Sequence, residues 1–295
     1  MHFVWKWRLP DYLTSAILLT IGAFVGSYVQ PYCRPVSFSD SSIMHQKKED
    51  ETVPIFAVII AIVLTVLLYT CGELYLGGKH GRKKAMYLIN SWFAVHMFSF
   101  SLEFCIVALI KVYAGRLRPD FIALLEDENI TEATIGSFTE EYVCRAAREG
   151  RLSFPSGHSS SAFSGIVPPA MYLLGLTRTF RNGRLCLAFI SLLPLIFSFV
   201  TAVSRTRDND HHFSDILAGA IIGSACGVFA VLIAFVPSPT GEWAVRGGTP
   251  SGFDANSPDA ELMENPVSVG GAAIPETTSV FIAQRREDSQ EAHKR

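Results

Sequence analysis

The chain has 295 residues, a formal net charge of -2 and 49% hydrophobic residues. A charge this close to zero gives no electrostatic reason to expect nucleic acid as a partner. The apolar residues fall into long runs with few charges, which is typical of a polytopic membrane protein.

Six apolar runs are close to the length that an α-helix needs to cross a bilayer, about 20 residues. They cover residues 12–29, 55–76, 87–110, 160–176, 185–203 and 216–236. The fourth run is the shortest and contains Pro168 and Pro169, which predicts a kink. The sequence therefore predicts an all-α fold, a bundle of six transmembrane helices.

The two ends of the chain differ in character. No cleavage site of small residues follows the first run, so we expect a retained helix rather than a signal peptide. Residues 237–295 are rich in Gly, Ser, Pro, Glu and Asp, without an apolar period, which predicts a disordered cytoplasmic tail. We expect a membrane domain at residues 1–236 and a tail at 237–295. Glycines at every fourth position of the sixth run, Gly219, Gly223 and Gly227, favour packing within the chain over dimerisation.

The basic loops favour cytoplasmic termini. Lys and Arg cluster in the short loops at 77–85 and 178–184, on the side of the N-terminus. The long loop between the third and fourth runs then faces a lumen or the exterior, and it carries a glycosylation sequon at Asn129. Cys33 and Cys144 fall in the two loops on that outer side, where a disulfide and two free thiols are equal alternatives. Vacuole, Golgi, endoplasmic reticulum and plasma membrane all fit this topology.

A first polar motif ends the third run and comprises Lys111, Arg118 and Pro119. Lys111 and Arg118 are seven positions apart, about two helical turns, which predicts that both project from one helix face. Pro119 then ends or redirects the helix. Lys111 alone would indicate a membrane anchor, but the two further motifs favour phosphate binding. Arg116 is expected to be solvated or to contact lipid headgroups.

A second motif, Pro155-Ser156-Gly157-His158, precedes the fourth run. Ser156 and Gly157 predict a tight turn whose N–H groups point at an anion, and the Ser156 hydroxyl adds a donor. His158 is then placed to give a proton to a departing alkoxide. Without the other motifs, the same residues would indicate a loop-to-helix junction with an interfacial histidine.

A third motif joins the fifth run to the sixth and contains Arg205, His211 and Asp215. A helix that starts near Asp210 would place His211 and Asp215 four positions apart on one face. The carboxylate would then fix the imidazole tautomer and leave the other ring nitrogen free to attack phosphorus. Arg205 is expected to bind phosphoryl oxygens bidentately, and His212 is expected to be structural or to contact a headgroup.

A metal centre is the competing interpretation of this third motif, because histidines and carboxylates crowd together there. The crowded residues are Asp208, Asp210, His211, His212 and Asp215. Three fixed cations, Lys111, Arg118 and Arg205, favour a site without a metal or other cofactor. They would neutralise a phosphoryl group and repel a divalent ion.

Together the three motifs resemble the signature of the type 2 phosphatidic acid phosphatase (PAP2) superfamily, in particular its six-span lipid phosphate phosphatases of the diacylglycerol pyrophosphate phosphatase type. The resemblance covers about residues 1–236. It implies that His211 is the nucleophile and forms a phosphohistidine, that Asp215 orients His211, and that His158 is the acid toward the leaving group. It also implies that five residues bind the phosphate without a metal, namely Lys111, Arg118, Ser156, Gly157 and Arg205.

The expected function is the removal of phosphate from phosphatidate, lysophosphatidate or diacylglycerol pyrophosphate at a membrane surface. The acyl chains would stay in the bilayer, which avoids extracting CH₂ groups at about 0.8 kcal/mol each. Sphingoid-base-phosphate or polyprenyl-diphosphate phosphatases and a lipid phosphotransferase share this chemistry and stay open as alternatives, as does the oligomeric state. A transporter or a non-catalytic lipid-binding protein is the remote alternative, which the intramembrane residues His96 and Glu103 would support.

Overall fold

The computed structural model describes residues 7–48 and 50–248, without the side chains of 77–80, and the described part is mostly helical. The predicted tail beyond residue 248 lies outside the described residues. The α-helices are α1 (Leu9–Tyr28), α2 (Ile55–His80), α3 (Arg82–Ala114), α4 (Phe121–Asp127), α5 (Glu140–Ala146), α6 (Gly157–Leu176), α7 (Thr179–Asn182), α8 (Leu185–Leu192), α9 (Leu195–Arg207) and α10 (Phe213–Ala234). Short 3₁₀ helices lie at Ser41–Ile43, Ile135–Ser137 and Glu149–Arg151.

Four helices of the described residues are long and apolar enough to cross a bilayer, and they hold the first, second, third and sixth predicted runs. They are α1, α2 over Ile55–Leu76, α3 and α10. The fifth run forms a bent pair, α8 and α9, which meet at 47° and would together make a fifth span. The break falls at Pro194, whose ring cannot continue the ladder of helical hydrogen bonds.

The fourth run forms α6, which extends through Pro168 and Pro169 without interruption. Most of its residues are buried, since α2, α3, α9 and α10 all pack against it. A helix surrounded by protein need not be apolar, and the serines of its first half lower its hydropathy. This helix therefore lies at the centre of the bundle, outside the set of strongly apolar helices.

Glycines bring α10 and α6 into close contact. A Cβ at Gly219 would lie 2.5 Å from the carbonyl oxygen of Ser156, and a Cβ at Gly227 would lie 2.9 Å from the Val167 side chain. A methyl group at Gly223 would overlap the Ser160 carbonyl. The glycine repeat predicted to pack within the chain does so, and it fixes the third motif beside the second.

A short hairpin follows the last helix, so ordered structure extends beyond residue 237, where the tail was predicted to begin. Strand β1 (Phe235–Pro237) pairs antiparallel with β2 (Trp243–Val245). Phe235 stacks on Trp92 with ring centroids 4.2 Å apart, and the Trp243 indole donates to the Met171 carbonyl at 2.6 Å. Residues 237–245 therefore belong to the packed domain, because aromatic side chains close the end of the bundle opposite the three motifs.

The loops at the motif end form a layer with its own apolar core. Ile43 lies in the first loop, between α1 and α2. It packs with Phe121, Leu125 and Ile130 of the second loop, between α3 and α6. A disulfide joins Cys33 to Cys144 across these two loops, with Cα atoms 5.8 Å apart. This layer holds the chain segments that carry the three motifs in a fixed arrangement.

Candidate active site

The three motifs meet at one cavity of about 370 Å³ at the end of the bundle. Each motif contributes to its wall, and the contributing residues are Lys111, Arg118, Gly157, His158 and His211. Three other predicted residues, Ser156, Arg205 and Asp215, are buried directly behind this wall. The convergence that the sequence predicted is therefore present in the structure, although several of the contacts differ.

His211 reaches Asp215 through a serine rather than directly. The Ser153 hydroxyl donates to Asp215 Oδ2 at 2.6 Å and lies 3.4 Å from His211 Nδ1. Among the described residues, no direct hydrogen bond joins the His211 ring to the Asp215 carboxylate. Helix α10 begins at Phe213, not near Asp210, so the predicted spacing on one helix face was wrong.

Asp215 is instead the third residue of α10 and caps that helix. Its Oδ2 accepts from the backbone N–H of His212 at 3.1 Å, which completes a capping box. The His212 ring lies 3.1 Å from the Leu117 carbonyl, in keeping with the structural role considered for this residue. The capping interaction fixes the carboxylate in the orientation that meets Ser153.

Arg116 is the fourth member of this network, and its expected solvent or headgroup role was wrong. Its Nη1 donates to Asp215 Oδ1 at 2.6 Å and to Ser214 Oγ at 2.7 Å. Helix α3 ends at Ala114 because Gly115 adopts a left-handed conformation with φ of 53°. The turn at Gly115 redirects the chain and carries Arg116 toward α10.

The same turn corrects the prediction that Lys111 and Arg118 share a helix face. Lys111 lies in the last turn of α3, whereas Arg118 lies on the following loop, where its N–H donates to the Gly150 carbonyl at 2.8 Å. The Lys111 ammonium donates to the Leu152 carbonyl. Arg118 Nε is buried without a hydrogen-bond partner among the described residues. Both cations nevertheless face the cavity from one side.

Ser156 and Gly157 form the start of α6, as the turn signal predicted. The Ser156 hydroxyl is fully buried and accepts from the backbone N–H of Ser159 at 3.4 Å, which makes Ser156 the N-cap residue. Gly157 and His158 form the first turn and line the cavity. The partial positive charge of a helix N-terminus therefore adds to the charges of the side chains.

Both histidines lie in environments that disfavour their charged forms. Burial, and then the positive charges of Lys111 and Arg118, hold the pKa of His211 well below its usual value. Burial, and then the positive charges of Arg205, Arg118 and Lys111, lower the pKa of His158 to about 4. His158 Nε2 is buried without a hydrogen-bond partner among the described residues. Neutral imidazoles therefore face the cavity before an anion binds.

Arg205 is completely buried and pairs with carboxylates of its own motif. Its Nη2 lies 2.9 Å from Asp208 Oδ2, and its Nη1 lies 3.0 Å from Asp210 Oδ2. Asp210 also reaches toward Arg118, with 3.8 Å between Oδ1 and Nη1. These pairs account for two of the carboxylates that suggested a metal centre. Within the described part of the chain, no group of three or more His, Cys, Asp or Glu side chains is arranged to hold a metal ion.

Glu51, in the loop between α1 and α2, was not among the predicted site residues, yet it lies beside the same cations. Its Oε1 is 3.7 Å from Arg205 Nη1, and its Oε2 is 3.8 Å from His158 Nε2. The neighbouring Thr52 donates to Asp208 through its backbone N–H at 2.9 Å and its hydroxyl at 2.5 Å. The first loop thus closes over the site and contributes a negative charge to it.

Comparison with known proteins agrees with this geometry. The PAP2 superfamily profile matches residues 92–237, which include all three motifs. Diacylglycerol pyrophosphate phosphatase 1 of Saccharomyces cerevisiae is 30% identical over 227 residues, 74% of this chain and 76% of that protein. Lipid phosphate phosphatase 2 of Arabidopsis thaliana is 29% identical over 237 residues, 79% of each chain.

A PA-phosphatase related-family protein of Dictyostelium discoideum is 40% identical over 139 residues, which is 46% of each chain. The chain therefore spans less than half of this relative and about three quarters of the other two. No solved structure matches the chain significantly. The chain belongs to the PAP2 superfamily, as the three motifs predicted, and it is an enzyme of the phosphatase class.

Proposed function

We propose that this enzyme is an integral membrane phosphatase that hydrolyses phosphatidate-like lipid phosphates through a phosphohistidine intermediate. The observation that carries the proposal is the shared cavity in which Lys111, Arg118, His158 and His211 face one another. Two cations, a helix N-terminus and two imidazoles suit a tetrahedral anion and its leaving group. The names of the relatives, which include lipid phosphate and diacylglycerol pyrophosphate phosphatases, support the same substrate class.

The first chemical step is attack by His211 Nε2 on phosphorus. Because Nδ1 faces Ser153, the other ring nitrogen carries the free lone pair. The new N–P bond forms as the bond from phosphorus to the lipid oxygen breaks. The electron pair of that bond goes to the oxygen, which takes a proton from His158 and leaves as an alcohol.

His158 needs a proton to act as this acid, although its pKa in the ligand-free site is about 4. A bound phosphate would offset the positive charges of Arg205, Arg118 and Lys111 that lower this pKa, so substrate binding favours protonation of His158. In the second step His158 takes a proton from water, whose oxygen attacks phosphorus. The N–P bond then breaks, its electron pair returns to His211, and inorganic phosphate is released.

The proposal includes phosphate binding by Ser156, Gly157 and Arg205, and catalysis without a metal. Gly157 would present the first N–H group of α6 to the phosphate and the Ser156 hydroxyl would add a donor, because the Ser156 backbone N–H already donates to the Asp215 carbonyl. Arg205 would lie behind them as a fixed charge. The pairing of Asp208 and Asp210 with Arg205 supports metal independence, because these carboxylates already have cationic partners. Fixed cations then supply the charge that a divalent ion supplies elsewhere.

The proposed topology has six spans, with α6 as the central fourth span and the α8–α9 pair as the fifth. Both termini, with the polar tail that follows the hairpin, would be cytoplasmic, and the site would face a lumen or the exterior. The Cys33–Cys144 disulfide supports this side, since disulfides persist in oxidising compartments. Asn129 is exposed on the same layer, where it could accept a glycan.

Phosphate release by the purified enzyme tests the proposal. The substrate panel is phosphatidate, lysophosphatidate, diacylglycerol pyrophosphate, a sphingoid-base phosphate and a polyprenyl diphosphate, each with and without a lipid alcohol acceptor and with excess chelator. We expect release from the glycerolipids in chelator, and its loss in His211→Ala with the fold retained. Turnover by His211→Ala would show that His211 is not the nucleophile. Loss of activity in chelator that added magnesium restores would show that the enzyme needs a metal.

A further inference from the structure

The cavity of the active site continues beyond the phosphate-binding residues into the bundle. Its second part lies between α1 and α3 and is lined largely by small and apolar side chains. The small and apolar lining residues on these two helices include Gly22, Ala23, Gly26, Phe104, Val107 and Ala108. We call this second part the α1–α3 groove.

Two glycines of α1 give the groove its shape. At Gly22 the helices touch, because an added Cβ would lie 2.7 Å from the Phe104 ring. One turn further along α1, the two helices lie farther apart. An added Cβ at Gly26 would lie 3.9 Å from Ala108 Cβ, an ordinary contact distance. The groove therefore begins above the contact at Gly22 and widens toward the phosphate site.

The groove opens on the apolar side of the bundle. Ala23 and Ser27 of α1 and Ile55 of α2 form its rim and are exposed. Phe24 on the same stretch of α1 is 59% exposed, as expected for a side chain that faces lipid. An amphiphile in the bilayer can therefore enter from the side, between α1 and α2, and still reach the cations.

A buried carboxyl group also lines the groove. Glu103 of α3 lines the cavity, is only 1% exposed and accepts hydrogen bonds from Ser161 and Ser164 through Oε2. Its Oε1 is buried without a hydrogen-bond partner among the described residues. A buried carboxyl oxygen without a partner is costly, so a polar group of a bound ligand would be favoured beside it.

We infer that the α1–α3 groove binds the first part of one acyl chain of the lipid phosphate, with the phosphate at His211. The inference rests on the proposed function and adds where the lipid lies. A volume of about 370 Å³ for the whole cavity is at the low end for small-molecule pockets, so it holds the headgroup and part of one chain. The rest of the lipid stays in the bilayer, and a hydroxyl or ester near the headgroup would meet Glu103.

The substitution Gly26→Leu tests the inference, because its Cβ would meet Ala108 Cβ at 3.9 Å and the rest of the side chain would extend into the groove. The matched control is Ala16→Leu, which adds a leucine to an exposed position of α1 away from the cavity. Each variant is assayed with dioleoyl phosphatidate in mixed micelles and with p-nitrophenyl phosphate, which has no acyl chain. For Gly26→Leu we expect kcat/KM to fall about ten- to a hundred-fold for the lipid, with the soluble ester and the control within about twofold.

Equal losses of activity on both substrates, or no loss on the lipid, would overturn the inference that the groove binds an acyl chain. A wild-type enzyme that hydrolyses neither substrate would instead overturn the proposed function. Binding gives a readout without turnover: lysophosphatidate should raise the melting temperature of His211→Ala, and much less that of His211→Ala with Gly26→Leu. If Gly26→Leu does not fold, Ala23→Trp at the rim replaces it with the same expected outcomes.

Discussion

Replacing Ser153 by alanine removes the hydroxyl that links His211 to Asp215. The serine hydroxyl is fully buried and donates to Asp215 Oδ2 at 2.6 Å. In the proposed mechanism the His211 ring would become positively charged during attack on phosphorus, because Nε2 would give up its lone pair while Nδ1 kept its proton. The negative charge of Asp215 would stabilise that cation through the serine, so the loss is expected mainly in the transition state.

A hydrogen bond to a charged group contributes about 1.5–3 kcal/mol. Because each 1.36 kcal/mol of barrier is tenfold in rate, Ser153→Ala should lower kcat about ten- to a hundred-fold while KM changes little. Ser159→Ala is the matched control, since its buried hydroxyl donates to the Ile216 carbonyl at 2.9 Å and touches neither catalytic group.

Steady-state phosphate release in detergent micelles measures both parameters for each variant. The melting temperature of each protein is measured beside it, to separate a catalytic loss from unfolding. The reasoning is refuted if Ser153→Ala keeps the wild-type kcat. It is also refuted if Ser159→Ala loses as much activity as Ser153→Ala, since the effect would then be one of packing.

Three further predictions concern the environment of the site. Glu51→Gln should lower the inhibition constant for inorganic phosphate about two- to fivefold, the scale of a partly exposed ion pair. The reason is that the Glu51 carboxylate lies 3.8 Å from His158 Nε2 and repels an anion there. An equal change in Asp50→Asn would show that only the net charge of the loop matters. Because the pKa of His158 is lowered to about 4 in the folded protein, its contribution to stability is full above about pH 6.5 and is lost as pH falls toward 4; melting curves at several pH values should show a smaller acid loss in His158→Asn. Replacing Cys33 and Cys144 by alanine should cost about 2–4 kcal/mol of stability, read as a lower melting temperature than the wild type; unchanged melting would mean that the bridge adds nothing.

Hydropathy predicted the helices well because the bilayer selects long apolar runs, wherever they lie in the fold. It did not show which prolines interrupt a helix. Pro168 and Pro169 lie in α6, where neighbouring helices surround the chain and Gly227 lets α10 come close to Pro168. Pro194 lies between α8 and α9, and the chain bends there. The difference depends on tertiary packing, which a linear pattern does not contain.

The motif residues could be selected from the sequence because cations, imidazoles and a glycine turn at fixed spacings are chemically distinctive. Their partners could not. Ser153 is an ordinary serine before a Phe-Pro pair, and Glu51 is one of several acidic residues in a polar loop. Arg116 faces Asp215 only because Gly115 ends α3 and turns the chain. Contacts of this kind arise between loops that are distant in sequence. They depend on the tertiary arrangement of the disulfide-linked layer, which a linear pattern does not contain.

The acidic residues of the third motif have an electrostatic explanation that also bears on turnover. Cations buried together repel one another and are costly to desolvate, so a ligand-free site needs negative charge of its own. Asp208 and Asp210 supply it to Arg205, and Glu51 lies beside both Arg205 and His158. In the proposed mechanism, a phosphate in the cavity would lie near these carboxylates and be repelled by their negative charge. That repulsion would favour release of inorganic phosphate after the second step, so the residues that suggest a metal centre would instead keep product from binding too tightly.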